Sequence, residues 1–217
     1  MTTWAQLLLD IRTDLQDTSS NPKWSDQALY VFAKDAIRDY SLYFPRRISR
    51  HPLVLSGDGY ELPADFISAV DVECPKDRFL EVRRTRPGNR YFSTGQPTIY
   101  YIYGGRLYLN GAPLDGAEVL LTYDARHVVP AAPDDGTTIL TIPELDEELI
   151  RLYVKAKATE QLRTQQASLD RFKPGSGKRD DNPLFQEAGA VMQEYRTKIA
   201  ERMTGGTIKL WRPGRLP

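Results

Sequence analysis

Apolar residues recur at helical spacing at both ends of this chain and at alternating spacing through its middle. From Thr3 to Gln16 the positions Trp4, Leu7, Leu8, Ile11 and Leu15 form one stripe, which predicts an amphipathic helix over 3–17. Thr3 followed by Gln6 looks like a capping box. A polar turn from Asp17 to Lys23 leads to Trp24 and to Ser25 as the N-cap of a second helix, with Asp26 placed at the positive end of its dipole. That helix runs to about residue 44 on a stripe of Leu29, Phe32, Ala33, Ala36, Ile37 and Tyr40, and Pro45 stops it.

Between Pro52 and Ile142 the period changes to two, with turn signals about every ten residues. Asp58-Gly59 separates Leu53-Val54-Leu55 from Tyr60-Glu61-Leu62, and Gly104-Gly105 joins Ile99–Tyr103 to Arg106–Leu109 in the clearest hairpin. Further strands are expected at Ile67–Val72, Phe79–Arg84, Glu118–Tyr123 and Thr138–Ile142. Helical spacing resumes at Pro143-Glu144, where acids crowd the first turn, and continues on Leu145, Leu149, Leu152, Tyr153, Ala156 and Leu162. Thr164–Asp181, with Lys173-Pro174-Gly175-Ser176-Gly177-Lys178, reads as a long loop. A last helix over 182–204 carries Leu184, Phe185, Ala188, Val191, Met192, Tyr195, Ile199 and Met203 on one side.

The fold class expected is therefore α+β. Two helices alone bury their faces poorly, so residues 1–50 and 143–204 should form a four-helix bundle. Residues 51–142 should be an inserted antiparallel β-sandwich or barrel, and residues 205–217 an extended C-terminal arm.

Composition narrows the function. Lysine plus arginine equal aspartate plus glutamate, 29 against 29, so no net field draws the chain to nucleic acid or membrane. Leu7-Leu8-Leu9 is broken by Asp10, Arg12 and Asp14, against a secretory or spanning segment, and the chain is expected to stay inside a cell or be packaged from one. A single cysteine, Cys74, excludes an internal disulfide and reads as a small buried residue. His51 and His127 are the only histidines; no metal-ligand spacing exists, and His127 reads as a lone surface residue. No nucleophile elbow, phosphate loop or dinucleotide fingerprint is present, and Asp134-Asp135 and Asp180-Asp181 read as turn residues. The expectation is no enzyme, no cofactor and no metal.

Three features suggest contact surfaces instead. The arm Thr204–Pro217 has two glycines that stop a helix and two prolines that forbid another, yet it carries Ile208, Leu210, Trp211 and Leu216 with Lys209, Arg212 and Arg215. Extended, it would span up to about 45 Å, and Trp211 flanked by arginine suits an interface anchor. Arg83, Arg84, Arg86 and Arg90, with Arg46, Arg47 and Arg50, either line a channel, meet acidic neighbours or form a solvated face. The tyrosine-rich strands place Tyr101 and Tyr103 on one sheet face with Ile99, and Tyr100 with Ile102 on the other; they are core and cross-strand pairs, or a stacking platform for sugar or single-stranded nucleic acid beside the arginines.

An aspartate-rich first helix, a short polar turn and Lys23-Trp24-Ser25-Asp26-Gln27-Ala28-Leu29 leading the second helix resemble the head-to-tail adaptor proteins of tailed double-stranded DNA bacteriophages. Asp58-Gly59-Tyr60-Glu61-Leu62-Pro63-Ala64-Asp65-Phe66 looks like a strand entry of the same proteins. The resemblance implies a dodecameric ring in the virion neck, assembled in the host cytoplasm. One face would meet the portal through the arm residues Ile208, Lys209, Leu210, Trp211, Arg212, Arg215 and Leu216, and the other a tail or nozzle protein. DNA would pass through the lumen without sequence-specific binding. The alternative reading is a tail or baseplate protein that binds host glycan through the tyrosines. The loop 164–181 has no match in the resemblance.

Overall fold

The computed structural model describes residues 2–83, 95–170 and 183–205. It is an α+β chain in two compact units, one built from Met1–Tyr43 with His127–Pro217 and the other from Phe44–Arg126.

In the first unit, helix α1 (Trp4–Asp14) starts where Thr3 Oγ1 accepts the Gln6 N–H at 3.3 Å. Only half of the expected capping box forms, because the Gln6 amide turns forward to Asp10 Oδ1 at 3.0 Å. Trp4, Leu7 and Ile11 are its buried face. Helix α2 (Asp26–Tyr43) is capped by Ser25, whose Oγ accepts the Ala28 N–H at 3.2 Å. A 3-10 turn over Glu144–Asp146 opens helix α3 (Glu147–Asp170), and helix α4 (Pro183–Gly205) follows. Helix α3 is the hub of this unit and packs against α1, α2 and α4.

Three expectations change here. Thr164–Asp170, expected in a loop, continues α3. Leu145, expected in the buried stripe, is 82% exposed, because the 3-10 turn breaks the 3.6-residue period that aligned it with Leu149. Thr138–Ile142 makes only a single bridge, Thr3 to Ile139, although Leu140 and Ile142 are buried in the helical unit's core. Residues 171–182 lie outside the described residues.

The second unit holds eight strands: β1 (Arg46–Leu53), β2 (Leu55–Ser56), β3 (Gly59–Glu61), β4 (Phe66–Glu73), β5 (Glu81–Val82), β6 (Ile99–Tyr103), β7 (Arg106–Leu109) and β8 (Val119–Ala125). They form a three-stranded sheet, β1-β8-β4, and a five-stranded sheet, β2-β3-β7-β6-β5. The two sheets share one buried cluster, to which Val72, Val119, Leu121 and Tyr123 come from the first and Tyr60, Tyr100 and Leu107 from the second. The expected barrel does not close, and the expected all-antiparallel order fails at one place, where β5 runs parallel to β6.

Strand β1 begins at Arg46 instead of beyond Pro52. A register shift between Ile48 and His51, with Arg50 at φ +52°, interrupts its alternation and hides it in the sequence. The Gly104-Gly105 hairpin is as expected: both glycines have positive φ, 57° and 77°, the signature of a two-residue turn whose twist suits the strands. The first and last strands of the unit are neighbours, with Arg46 opposite Ala125, so its entry and exit are adjacent.

Candidate interaction surfaces

The strand unit uses its arginines internally. Arg46 Nη2 donates to Asp65 Oδ2 at 2.9 Å, and Arg47 to Asp124 Oδ1 at 3.0 Å. Arg50 bridges Glu73 Oε1 at 3.0 Å and Asp77 Oδ1 at 2.6 Å. Glu73 is 3% exposed, and its other oxygen accepts the Asp77 N–H at 2.7 Å. A buried carboxylate needs such partners, so Arg50 fastens Glu73, while Arg46 and Arg47 pair with partly exposed aspartates of the same unit. Arg83 is exposed, and its backbone N–H pairs with Tyr100 O at 2.9 Å. Arg84, Arg86 and Arg90 lie outside the described residues.

The tyrosines divide between the sheet faces as alternation requires. Tyr100 is 3% exposed and in the core, and burial raises its hydroxyl pKa. Tyr101 and Tyr108 stack on each other across the outer face, centroids 5.2 Å apart and planes 10° from parallel. Each covers one ring face of the other, which favours a cross-strand pair over a platform open on both faces. Gly59 is required beneath them, since a Cβ there would approach Tyr108 to 2.9 Å. Tyr123 donates to Asp65 Oδ1 at 3.0 Å and its ring lies 5.8 Å from that of Phe66. Burial, then that bond, raises the Tyr123 pKa. The segment Gly59–Phe66 therefore has structural work at three positions, Gly59, Asp65 and Phe66.

Lys23-Trp24-Ser25-Asp26 has an equally local explanation. Arg12 reaches out of α1 to Asp17 Oδ2 at 2.9 Å, Trp24 O at 3.2 Å and Asp26 Oδ1 at 2.5 Å. Asp17, 2% exposed, also accepts the backbone N–H groups of Lys23 and Trp24 at 2.6 and 3.3 Å. One buried carboxylate thus shapes the α1–α2 turn. Asp135 does a similar job in its own turn, accepting from the Thr138 and Thr137 hydroxyls, bonds that hold its carboxyl below the usual range.

His127 is not a surface histidine. It is 7% exposed, its N–H donates to Ser41 Oγ at 3.0 Å, its Nδ1 lies 3.0 Å from Thr141 Oγ1, and its ring packs 5.2 Å from Tyr40. It joins the end of α2 to the returning chain. Cys74 is fully buried, as expected, and burial pushes its thiol pKa up, as befits an inert core residue.

Helix α4 is held largely by polar contacts. Among its described side chains only Tyr195 and Ile199 are buried. Tyr195 donates to Asp39 Oδ2 on α2 at 2.6 Å, Lys198 pairs with Glu148 on α3, and Arg202 Nε meets Asp146 Oδ1 at 3.0 Å. Asp146, 5% exposed, also accepts from the Tyr40 hydroxyl at 2.7 Å. The spacing 195, 198, 202 keeps the three contacts on one side of the helix. Asp146 belongs to the acids that crowd the first turn in the sequence, but its burial and its two partners, Tyr40 and Arg202, both distant along the chain, have no local signature.

Beside this clamp, Asp14 of α1 and Glu148, Arg151, Leu152 and Lys155 of α3 line an open cleft of about 260 Å³. Arg151 is paired with Asp14 at 3.1 Å. Lys157, further along α3, pairs with Glu160 at 3.1 Å. Among the described residues there is no group of three or more His, Cys, Asp or Glu placed to hold a metal ion, and no helix is long and apolar enough to cross a membrane. The arm residues Ile208, Lys209, Leu210, Trp211, Arg212, Arg215 and Leu216 lie outside the described residues.

Comparison with curated proteins finds no match. The sequence model of the SU10 adaptor protein family, in contrast, matches residues 2–211, spanning both units and reaching Trp211, and on that extent the chain belongs to the SU10 adaptor family.

Proposed function

We propose that this phage adaptor-type protein is a neck component that closes into a ring, joins the portal to the tail and surrounds the passage for DNA. The observation that carries the reading is the family match over residues 2–211. An adaptor is a structural component of a virion that contacts other phage structural proteins, and the chain's chemistry agrees with such a role. Its arginines at 46, 47 and 50 and its buried acids are spent on internal bonds, and the Tyr101–Tyr108 stack is a cross-strand contact.

The reading assigns residues 1–43 and 127–204 to a four-helix bundle, residues 44–126 to an inserted strand domain, and residues 205–217 to an arm that leaves the bundle. The arm docks on the portal with Trp211 buried and Lys209, Arg212 and Arg215 near acidic groups; Ile208, Leu210 and Leu216 add apolar area. Repetition around a ring turns a modest contact per arm into a firm joint. On this reading Arg83, Arg84, Arg86 and Arg90 contact the lumen or a partner protein, and zero net charge suits passage of DNA without tight binding.

The test is imaging of the purified protein alone and mixed with portal, with full-length protein beside a variant ending at residue 205. The expected result is rings from both, with only the full-length protein joining the portal. Normal joining by the shortened protein overturns the role of the arm, and a chain that occurs as a single copy in the particle overturns the ring.

A further inference from the structure

The cleft between α1 and α3 has an ion pair on one side and an unmatched cation on the other. Arg151 is committed to Asp14, and Lys155, one turn further along the same side of α3, has no acidic partner among the described residues. Leu152 lies between them, half-buried. The two acids of the cleft, Asp14 and Glu148, are already paired with Arg151 and Lys198, so Lys155 suits a carboxylate brought from outside.

The same unit carries such carboxylates in a row. Glu187, Glu194 and Glu201 are all exposed on α4 at intervals of seven residues. Seven residues is nearly two helical turns, so the three fall on one side about 10.5 Å apart, drifting by only about 20° per interval. Glu194 shares Lys198 with Glu148, whereas Glu187 and Glu201 have no cationic partner among the described residues. Glu201 also sits just before the last turn of α4, near the helix's negative end, which disfavours an anion, so it gains from an external cation.

We propose that the cleft lined by Arg151, Leu152 and Lys155 is the docking groove for α4 of a second copy of this chain, with Lys155 paired to Glu201 of that copy. The two patches are different surfaces of one unit, so the contact is head-to-tail and each copy has one groove and one stripe to offer. This rests on the ring reading above and names the surfaces through which neighbours meet.

The test is sedimentation of the full-length chain over a concentration series at about 0.1 and 0.5 M salt, the range over which screening of exposed charges rises. Lys155→Glu and Glu201→Lys should each raise the concentration needed for assembly tenfold or more. The double variant K155E/E201K should restore assembly to near the native level. Helical content by circular dichroism checks the fold, and Lys155→Gln with Glu201→Gln replaces any reversal that perturbs it, with weakened assembly again expected. Native assembly by either single variant, or no recovery in the double, overturns this contact and leaves the ring standing. A native chain that stays monomeric at every concentration overturns both.

Discussion

The hydroxyl of Tyr195 offers the sharpest probe of what holds α4 in place. Tyr195 is 3% exposed, and its bond to Asp39 Oδ2 is short at 2.6 Å. A bond to an ionised group contributes roughly 1.5–3 kcal/mol. Asp39 is half-buried, so its carboxylate recovers some water when the hydroxyl is removed, which places Tyr195→Phe near the lower bound, about 1.5 kcal/mol. The ring and its edge-on contact with Tyr153, 5.3 Å away, survive that change. Asp39→Ala should cost more, about 2 kcal/mol, because it leaves a buried hydroxyl without its acceptor.

Tryptophan fluorescence suits the measurement. Trp4 and Trp24 are buried in the helical unit, the strand unit has no tryptophan, and a Trp211→Phe background confines the signal to that pair. With a urea slope of about 2 kcal/mol/M, Tyr195→Phe should lower the midpoint by roughly 0.7 M. The double variant D39A/Y195F should cost little more than Asp39→Ala alone, a coupling of about 1.5 kcal/mol. If the two changes instead add within about 0.4 kcal/mol, the hydroxyl and carboxylate do not work as a pair and the polar account of α4 is wrong.

Alkaline titration gives a second check. Burial and hydrogen-bonded aspartates raise the Tyr40 and Tyr195 pKa values above the usual 10.0, so the stability they confer is complete below about pH 10 and is lost as pH rises beyond it. Unfolding measured from pH 9 to 11 should therefore be steeper for the native chain than for Tyr40→Phe or Tyr195→Phe, by up to about 1.4 kcal/mol per pH unit for each tyrosine removed; equal slopes contradict this. Asp17→Ala should cost about 3 kcal/mol in urea unfolding, since Arg12 loses its buried partner and two backbone N–H groups lose their acceptor. A cost below about 1 kcal/mol would mean that the α1–α2 turn does not depend on Asp17. Gly59→Ala should cost about 1–2 kcal/mol and shift the ring resonances of Tyr108 and Tyr101, because the new methyl occupies the space of the Tyr108 ring; unchanged resonances would count against the stack.

The legible parts of this fold are those in which one side chain per turn or per pair of residues reports burial. The helix starts at Thr3 and Ser25, the Gly104-Gly105 hairpin and the inward position of Tyr100 all follow from such local rules. Strand β1 was hidden because its inward positions include Arg46 and His51, which are tolerated only through partners distant in sequence, and because a register shift breaks the count. The parallel pairing of β5 with β6 joins segments with no turn signal of their own, so no local pattern could announce it. Leu145 misled because one 3-10 turn changes the phase of everything before α3. As for the contact surfaces, the arginines at 46, 47 and 50 looked available only until Asp65, Asp124, Glu73 and Asp77 were brought beside them.

The buried polar bonds of the helical unit explain how a chain can interrupt its own core with a strand domain. After the strands, the chain must rejoin the helices at a defined place, and apolar contacts alone are tolerant of sliding. Hydrogen-bonded groups are less tolerant, since a displaced buried donor or acceptor loses its partner outright. His127 fixes the first returning residue against Ser41, the Tyr30 hydroxyl holds Pro130 O at 2.9 Å, and the Trp4 indole N–H holds Pro133 O at 2.8 Å. Asp146 then ties the start of α3 to Tyr40 and to Arg202 near the C-terminal end of α4. Every one of these bonds except Asp146–Arg202 places a later segment against α1 or α2, which are made first. Under the ring proposed above, neighbours that met this helical surface would need that register to be the same in every copy, and specific polar bonds fix it at positions where a purely apolar seam would allow several.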